Sequence, residues 1–172
     1  MTINTKTLAA IDIGTNAIRL FISNVEEYPT ETLFKKIAFL RVPIRLGEDV
    51  FTTGEIGQQK RKRLCETMQG FSYIMSAFNV ESYKAYATCA MREARNGKSV
   101  AEQIQKECDL NIEIISGTKE AETIFAGGMN EVVDDDKTYL YVDVGGGSTE
   151  VIVYSKSVKV EACSFPLGTV RM

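Results

Sequence analysis

The sequence YVDVGGGSTEVIVY, residues 141–154, aligns without a gap on AIDIGTNAIRLFIS, residues 10–23. Asp143 and Asp12 occupy the same position of this repeat, at an offset of 143 − 12 = 131 residues. Each copy predicts an apolar strand ending near an aspartate, then a small-residue turn and a second apolar strand. Two such hairpins facing each other would direct two acidic side chains and two sets of backbone N–H groups at one cleft. The repeat therefore predicts a site for phosphate and metal.

Composition limits the chemistry that such a site can use. The chain has 172 residues, of which 44% are hydrophobic and 25% charged, so it is long enough and apolar enough to bury a sizeable core. It contains no histidine. This excludes histidine general bases, Ser-His-Asp triads and most zinc sites. Any proton transfer must use carboxylates, lysine, tyrosine or water.

Charge, the N-terminal segment and the cysteines limit the partners and the compartment. The formal net charge of −3 argues against nucleic-acid binding over a broad surface. The N-terminal segment has no signal-peptide pattern, and no apolar run is long enough to cross a bilayer. The four cysteines are scattered and form no C-x-x-C pair, which is typical of reduced core thiols. We therefore expect a cytoplasmic protein that binds neither nucleic acid nor a membrane.

The apolar periodicity predicts an α/β fold whose first copy has five strands. These strands are expected at residues 7–13, 18–25, 33–46, 82–89 and 111–115. Helices are expected to end near Phe78, Cys108 and Met129. Thr52 with Glu55 and Ser99 with Glu102 predict capping boxes that begin the first two helices.

The second copy is expected to be incomplete. After its third predicted strand, residues 158–166, the pair Leu167-Gly168 resembles Leu46-Gly47 of the first copy, and only four residues follow. The second copy would then lack its core helices and leave strand edges and sheet faces uncovered. We expect a fragment of a longer protein, or half of a site that is completed elsewhere.

Six stretches in order resemble one family, the exopolyphosphatase / guanosine pentaphosphate phosphohydrolase family of the actin, sugar kinase and heat-shock ATPase superfamily. They are AIDIGTNAIRL (10–20), RLGE (45–48), ATCAMREARN (87–96), ISGTKEA (115–121), DVGGGSTE (143–150) and FPLGTVR (165–171). The resemblance implies a ribonuclease H-like, actin-type ATPase fold. It implies a mixed five-stranded sheet with flanking helices in a first domain, residues 1–126. The first three strands of a second, truncated domain follow, residues 127–172. Members cleave the terminal phosphate from polyphosphate or guanosine pentaphosphate with Mg²⁺.

Asp12 and Asp143 are the candidate metal ligands. A carboxylate at the end of a buried strand either forms an Asx turn or binds a hard cation largely through water. One copy alone leaves these two roles equal, whereas the mirrored pair favours the metal. Mg²⁺ suits two carboxylates supplemented by substrate phosphate oxygens.

The small-residue turns are the candidate phosphate-binding segments. Gly145, Gly146, Gly147, Ser148 and Thr149 offer successive N–H groups and two hydroxyls, which can form an anion nest or only a flexible tight turn. The counterpart in the first copy is Gly14, Thr15 and Asn16. The pattern is neither G-x-G-x-x-G nor G-x-x-x-x-G-K-[ST], so it supports neither a Rossmann site nor a P-loop.

Glu120 and Glu150 are the candidates for handling water. Glu120 is expected in the first turn of a helix, where the helix dipole would lower its pKa. A carboxylate there either only stabilises the helix or orients the attacking water, and the resemblance implies the catalytic glutamate. Glu150 takes the place of Arg19 in the repeat. It is either a solvated hairpin residue or a second ligand of water or metal, and the resemblance favours the ligand.

Arginines complete the predicted phosphate site. Arg92 and Arg95 are three residues apart and would share a helix face. Arg92 follows the C-terminal end of a central strand, where α/β sites open, and is the stronger phosphate candidate. Arg19 is expected to face the same cleft. Cys89 stands where the family more often has serine, which puts substrate choice in doubt.

Two functions of different classes are compatible with these residues. The first is a Mg²⁺-dependent phosphohydrolase of terminal phosphoanhydrides, and the alternative is a non-catalytic sensor of guanosine tetraphosphate or polyphosphate. The expected partners are polyphosphate or guanosine penta- or tetraphosphate, with a homodimer as the candidate assembly. Half of a sugar kinase or ATPase is a weaker third interpretation, since its adenosine-binding elements would lie in the part that the second copy is expected to lack.

Overall fold

A computed structural model describes residues 4–127, 136–155 and 158–171. Its larger sheet has five strands: β1 Asn4–Ile13, β2 Ile18–Glu27, β3 Thr32–Val42, β4 Ser82–Ala87 and β5 Glu113–Ile114. Their order is β3-β2-β1-β4-β5. The first three strands pair antiparallel, whereas β4 pairs parallel with both β1 and β5. The predicted mixed five-stranded sheet is confirmed.

The described residues form five helices. They are α1 Leu46–Thr53, α2 Gln58–Ala77, α3 Cys89–Glu93, α4 Gly97–Cys108 and α5 Gly117–Ala126. Alternate residues of β1 and β2, among them Ile11, Ile13 and Leu20, are buried in one core with Leu64 and Met68 of α2. The opposite face of β1 carries Ala10 and Asp12, which line a cleft. The period of two along the strand thus puts the core and the candidate ligand on opposite faces.

The boundaries around α1 and α2 differ from the predictions. Strand β3 ends at Val42, and Leu46-Gly47 begins α1 rather than closing a strand. Arg45 takes the left-handed conformation at this change of direction. The capping box at Thr52 is wrong, because Thr52 lies inside α1 and its Oγ1 donates to the Glu48 carbonyl oxygen at 2.7 Å.

The capping box predicted at Ser99 is also wrong. Helix α4 begins two residues earlier, at Gly97, and Asn96 precedes it. The Asn96 side chain instead joins two loops, since Ile56 N donates to its Oδ1 at 3.0 Å and its Nδ2 donates to Ile56 O at 2.9 Å. The tertiary contact therefore determines where this helix begins.

The second copy forms a separate three-stranded antiparallel sheet. Its strands are β6 Thr138–Val144, β7 Thr149–Ser155 and β8 Val158–Phe165, in sequence order. One face carries Ile152 and Tyr154, which pack with Ala121 of α5. The other face leaves Leu140 and Val142 exposed, as expected for a sheet face that no helix covers.

The division of the chain at residues 126 and 127 stays a prediction. Helix α5 is described to Ala126, whereas the predicted end near Met129 lies outside the described residues. Within the described ranges, no helix combines the length and the apolar character needed to cross a membrane.

Candidate active site

The turns of the two hairpins face each other across a cleft of about 750 Å³. The close approach is clearest at Gly147, where a β-carbon would lie 2.9 Å from Thr15 Oγ1. Most of the predicted site residues line this cleft: Asp12, Gly14, Thr15, Asn16, Arg19, Glu120, Asp143, Gly145, Gly146, Gly147 and Ser148. The fold thus brings these residues together, whereas Arg92, Thr149 and Glu150 are not among the residues that line the cleft.

On the wall formed by the first copy, Asp12 is already paired. Arg19 lies opposite Asp12 in the antiparallel register, and its Nη1 donates to Asp12 Oδ2 at 2.5 Å. Both side chains are more than two-fifths exposed, so the pair is open to solvent and to competing ions. A cation at Asp12 would have to share this carboxylate with the Arg19 guanidinium.

On the wall formed by the second copy, Asp143 is differently placed. Its partner in the antiparallel register is Glu150 rather than an arginine. Within residues 4–127, 136–155 and 158–171, no side chain forms an ion pair or hydrogen bond with the Asp143 carboxylate. The two aspartates therefore occupy equivalent positions of the repeat, but only the Asp12 carboxylate forms an ion pair among the described residues.

The glycine turn, residues 145–149, is packed tightly against the first copy. A β-carbon at Gly147 would lie 2.5 Å from Cys89 Sγ and 2.7 Å from Phe51 Cζ. Such distances do not occur in folded proteins, so this approach requires glycine. Thr149 Oγ1 donates to the Leu167 carbonyl oxygen at 2.7 Å, which fixes one of the two hydroxyls within the fold.

Glu120 lies in the first turn of α5, as the sequence predicts. Its pKa, however, is raised and not lowered. Burial, reinforced by the neighbouring Glu150 carboxylate, raises the pKa of Glu120 from 4.5 to about 7, against the opposing effect of Arg92. Here desolvation and a like charge outweigh the helix dipole. A carboxylate with this pKa can hold a proton or release it near neutral pH.

Glu150 is buried, with only 1% of its surface exposed. Ser164 of β8 donates from Oγ to Glu150 Oε1 at 2.9 Å. Glu150 is not among the residues that line the cleft, but its carboxylate raises the pKa of Glu120. Its predicted role as a direct ligand of water or metal stays a prediction.

Arg92 and Arg95 do not share a helix face, so that prediction is wrong. Helix α3 ends at Glu93, and the extended conformation of Ala94 turns the chain away. Arg92 Nη1 donates to Ile115 O at 2.8 Å and lies 3.4 Å from Glu120 Oε2. Arg95 instead pairs with Glu55, with its Nε 3.2 Å from Oε1. Of these two arginines, only Arg92 contacts Glu120.

The donor set fits Mg²⁺ as a shared ion. Asp12 and Asp143 supply hard oxygen ligands from opposite walls of the cleft. No group of three or more candidate metal-ligating side chains converges among the described residues. The two carboxylates are ligands of the type that would hold Mg²⁺, which keeps several waters and uses one or two carboxylates together with substrate phosphates.

The family model for the Ppx/GppA phosphatase family matches residues 12–172. The chain belongs to the Ppx/GppA phosphatase family. It is 32% identical over 168 residues to a bifunctional 3-dehydroquinate synthase/phosphatase of Fusobacterium nucleatum, covering 95% of this chain and 25% of that protein. It is 28% identical to a putative exopolyphosphatase of Haemophilus influenzae, covering 97% of this chain and 50% of that one.

Solved structures agree with this membership. An exopolyphosphatase from Cytophaga hutchinsonii superposes with a TM-score of 0.86 at 30% identity, covering 96% of this chain and 52% of that one. The Aquifex aeolicus member of the Ppx/GppA family gives 0.78 at 26% identity, with 97% and 53% covered. The expected fold is thereby confirmed. The chain spans about half the length of these structures.

Sequence reasoning missed two residues that shape the site. Phe51 of α1 touches the glycine turn, and Arg171 binds the Gly147 carbonyl oxygen with an Nε–O distance of 2.8 Å. Arg171 is the last residue of FPLGTVR, the sixth motif of the family resemblance, and that motif was the sequence signal that could have identified it. Its role could not be assigned because Glu93 and Cys89, which its Nη2 contacts, lie 78 and 82 residues earlier in the chain.

Proposed function

We propose that the cleft belongs to a Mg²⁺-dependent phosphohydrolase that releases the terminal phosphate of polyphosphate, guanosine pentaphosphate or both. The proposal rests on Glu120, a mostly buried carboxylate at the cleft whose pKa is raised to about 7. Phosphoryl transfer depends mainly on positioning and charge neutralisation, so a modest base is sufficient. Relatives named exopolyphosphatases and the family model support the substrate class.

In this proposal, Glu120 accepts a hydrogen bond from the attacking water and takes up its proton. The water oxygen forms a bond to the terminal phosphorus, and the bond from that phosphorus to the bridging oxygen breaks. The products are inorganic phosphate and a chain that is one phosphate shorter. Arg92, paired with Glu120, holds the base in place and adds positive charge beside the reacting group.

The glycine turn and the aspartates have separate roles in the proposal. The N–H groups of Gly146, Gly147 and Ser148 and those of Thr15 and Asn16 would bind phosphate oxygens from both sides. The N–H groups of Gly145 and Gly14 instead close their own turns by donating to Ser148 O and Ala17 O. Asp12 and Asp143 would hold Mg²⁺, which when bound neutralises phosphate charge and orients the chain. Arg19 would move between Asp12 and a phosphate oxygen, because its ion pair is exposed.

The test is phosphate release by the full chain from polyphosphate and from guanosine pentaphosphate, with Mg²⁺ and with EDTA. We expect multiple turnovers with Mg²⁺ and a loss of at least about 100-fold in EDTA, since an ion that neutralises phosphate charge contributes several kcal/mol. Comparing kcat/KM for the two substrates assigns the preference.

The same experiment addresses the sensor alternative. A sensor would bind guanosine tetraphosphate or polyphosphate in the cleft and release nothing over hours. Binding without release would therefore contradict the phosphohydrolase. The proton-accepting position of Glu120 favours the enzyme, because binding alone has no need for a carboxylate near neutral pKa.

A further inference from the structure

Arg171 forms an unusual number of contacts for one side chain at the junction of the two copies. Its Nε donates to the Gly147 carbonyl oxygen at 2.8 Å, and its Nη2 donates to Glu93 Oε1 at 2.5 Å. The same Nη2 lies 3.5 Å from Cys89 Sγ. The guanidinium also stacks over the Phe51 ring, 4.2 Å from its centroid. One planar cation thus joins the glycine turn to α1 and α3.

Backbone hydrogen bonds also join the segment that carries Arg171 to the glycine turn. Thr169 N donates to Gly145 O at 3.0 Å, and Val170 N donates to Gly146 O at 2.8 Å. A β-carbon at Gly168 would lie 2.5 Å from the backbone of Gly146. All three glycine carbonyls of the turn are therefore bound by residues 169–171. Of their N–H groups, that of Gly145 donates to the Ser148 carbonyl oxygen at 2.8 Å, whereas those of Gly146 and Gly147 make no backbone hydrogen bond among the described residues.

We propose that Arg171 is a positioning residue that holds the glycine turn in register with α3, the helix that carries Arg92. It would thereby fix the distance between the phosphate-binding N–H groups and the ion pair that Glu120 forms with Arg92. This inference rests on the proposed function of the cleft. Arg171 is not among the residues that line the cleft, and its Nε and Nη2 already bind Gly147, Glu93 and Cys89, so we assign it no contact with substrate.

The chemistry of the contacts explains why arginine is needed. The guanidinium is planar and fork-shaped, so it can serve a carbonyl and a carboxylate at once while it stacks on an aromatic ring. Lysine offers a point charge that can satisfy Glu93 or the Gly147 carbonyl, but not both together with the stacking. A methionine side chain is long enough to cover the Phe51 ring, but it cannot form the hydrogen bonds to Gly147 and Glu93.

The test compares Arg171→Met, Arg171→Lys and Glu93→Gln with Arg95→Met in the full chain. Arg95 is the matched control, because its guanidinium also joins a carboxylate and a carbonyl, Glu55 and Thr53 O, but away from the turn. The first measurement is amide hydrogen exchange in peptides that cover residues 144–149, compared with α2 and β8. The second is KM and kcat for tripolyphosphate hydrolysis.

For Arg171→Met we expect exchange about tenfold faster in residues 144–149, and unchanged exchange in α2. We expect KM to rise about tenfold with kcat lowered less, because a displaced turn weakens phosphate binding first. Arg171→Lys and Glu93→Gln should show smaller effects in the same peptides. Arg95→Met should leave both measurements at the wild-type values.

Unchanged exchange in residues 144–149 for Arg171→Met would overturn the proposal. Exchange that rises equally in α2, β8 and the turn, in both Arg171→Met and Glu93→Gln, would overturn it too, since the residue would then be a general stabiliser. Absence of hydrolysis by the wild-type chain would instead contradict the proposed function. In that case the exchange measurement still decides the role of Arg171.

Discussion

Replacing Glu120 with glutamine is expected to lower kcat for phosphate release by about 10²- to 10⁴-fold, the usual contribution of a positioned base. KM should change by less than about threefold, because glutamine keeps the shape of the side chain and can still accept a hydrogen bond from Arg92. The measurement is steady-state phosphate release from tripolyphosphate at saturating Mg²⁺. Glu122→Gln is the matched control, since Glu122 lies on the same helix and pairs with Lys159 away from the cleft.

The pH dependence provides a second signature of this role. Because the pKa of Glu120 is about 7 in the absence of bound metal, the base is increasingly protonated as pH falls below that value. The wild-type kcat/KM should therefore decline on the acid side, at or below pH 7 once Mg²⁺ adds positive charge. The Glu120→Gln variant should lack this acid limb.

A stability measurement separates loss of the base from loss of the fold. The pKa of Glu120 is about 7 in the folded chain and 4.5 as its ordinary value, so ionisation disfavours the folded state as pH rises through 7. Without Mg²⁺, Glu120→Gln should match the wild type below pH 4.5 and exceed it above pH 7. The excess in unfolding free energy is expected to reach up to roughly 3 kcal/mol. A variant as active as the wild type would remove Glu120 from its assigned role.

Replacing Asp143 with asparagine is expected to raise the Mg²⁺ concentration for half-maximal activity by about 10- to 100-fold, equivalent to about 1.4–2.8 kcal/mol of binding. Its carboxylate has no ion pair among the described residues and is free to serve a cation. Asp12→Asn should have a smaller effect, because Arg19 already neutralises Asp12 at 2.5 Å. The measurement is activity against Mg²⁺ concentration, with calorimetric Mg²⁺ titration alongside.

Asp109→Asn is the control for this series. Asp109 lies in the left-handed conformation at the end of α4, a position that asparagine also tolerates. Its Mg²⁺ requirement should equal that of the wild type. Equal Mg²⁺ requirements for Asp143→Asn and the wild type would contradict the assignment of Asp143 as a ligand.

The repeated hairpins could be predicted because local signals specify them. Alternating apolar residues and small-residue turns fix a strand pair without help from the rest of the chain, and the offset of 131 then implied two facing turns. The facing of the two turns followed from this repeat, whereas the mixed five-stranded sheet and the role of Glu120 came from the family resemblance. Helix α1 was missed because it is short, with eight residues, and only Pro43, Ile44 and Arg45 separate it from β3.

What could not be predicted depends on contacts between distant segments. The raised pKa of Glu120 comes from burial beside Glu150, thirty residues later, and no local pattern encodes it. The separation of Arg92 from Arg95 depends on one extended residue, Ala94, that ends α3. Arg171 acquires its role only when the second copy packs on the first.

In the proposed reaction, water oriented by Glu120 attacks the terminal phosphorus of a phosphoanhydride chain in this cleft. A single turnover of tripolyphosphate with Mg²⁺ in water enriched in ¹⁸O, followed by mass spectrometry of both products, tests this step. We expect one ¹⁸O atom in the released inorganic phosphate and none in the pyrophosphate. Label in the pyrophosphate, or tight binding of tripolyphosphate with no released phosphate, would contradict it.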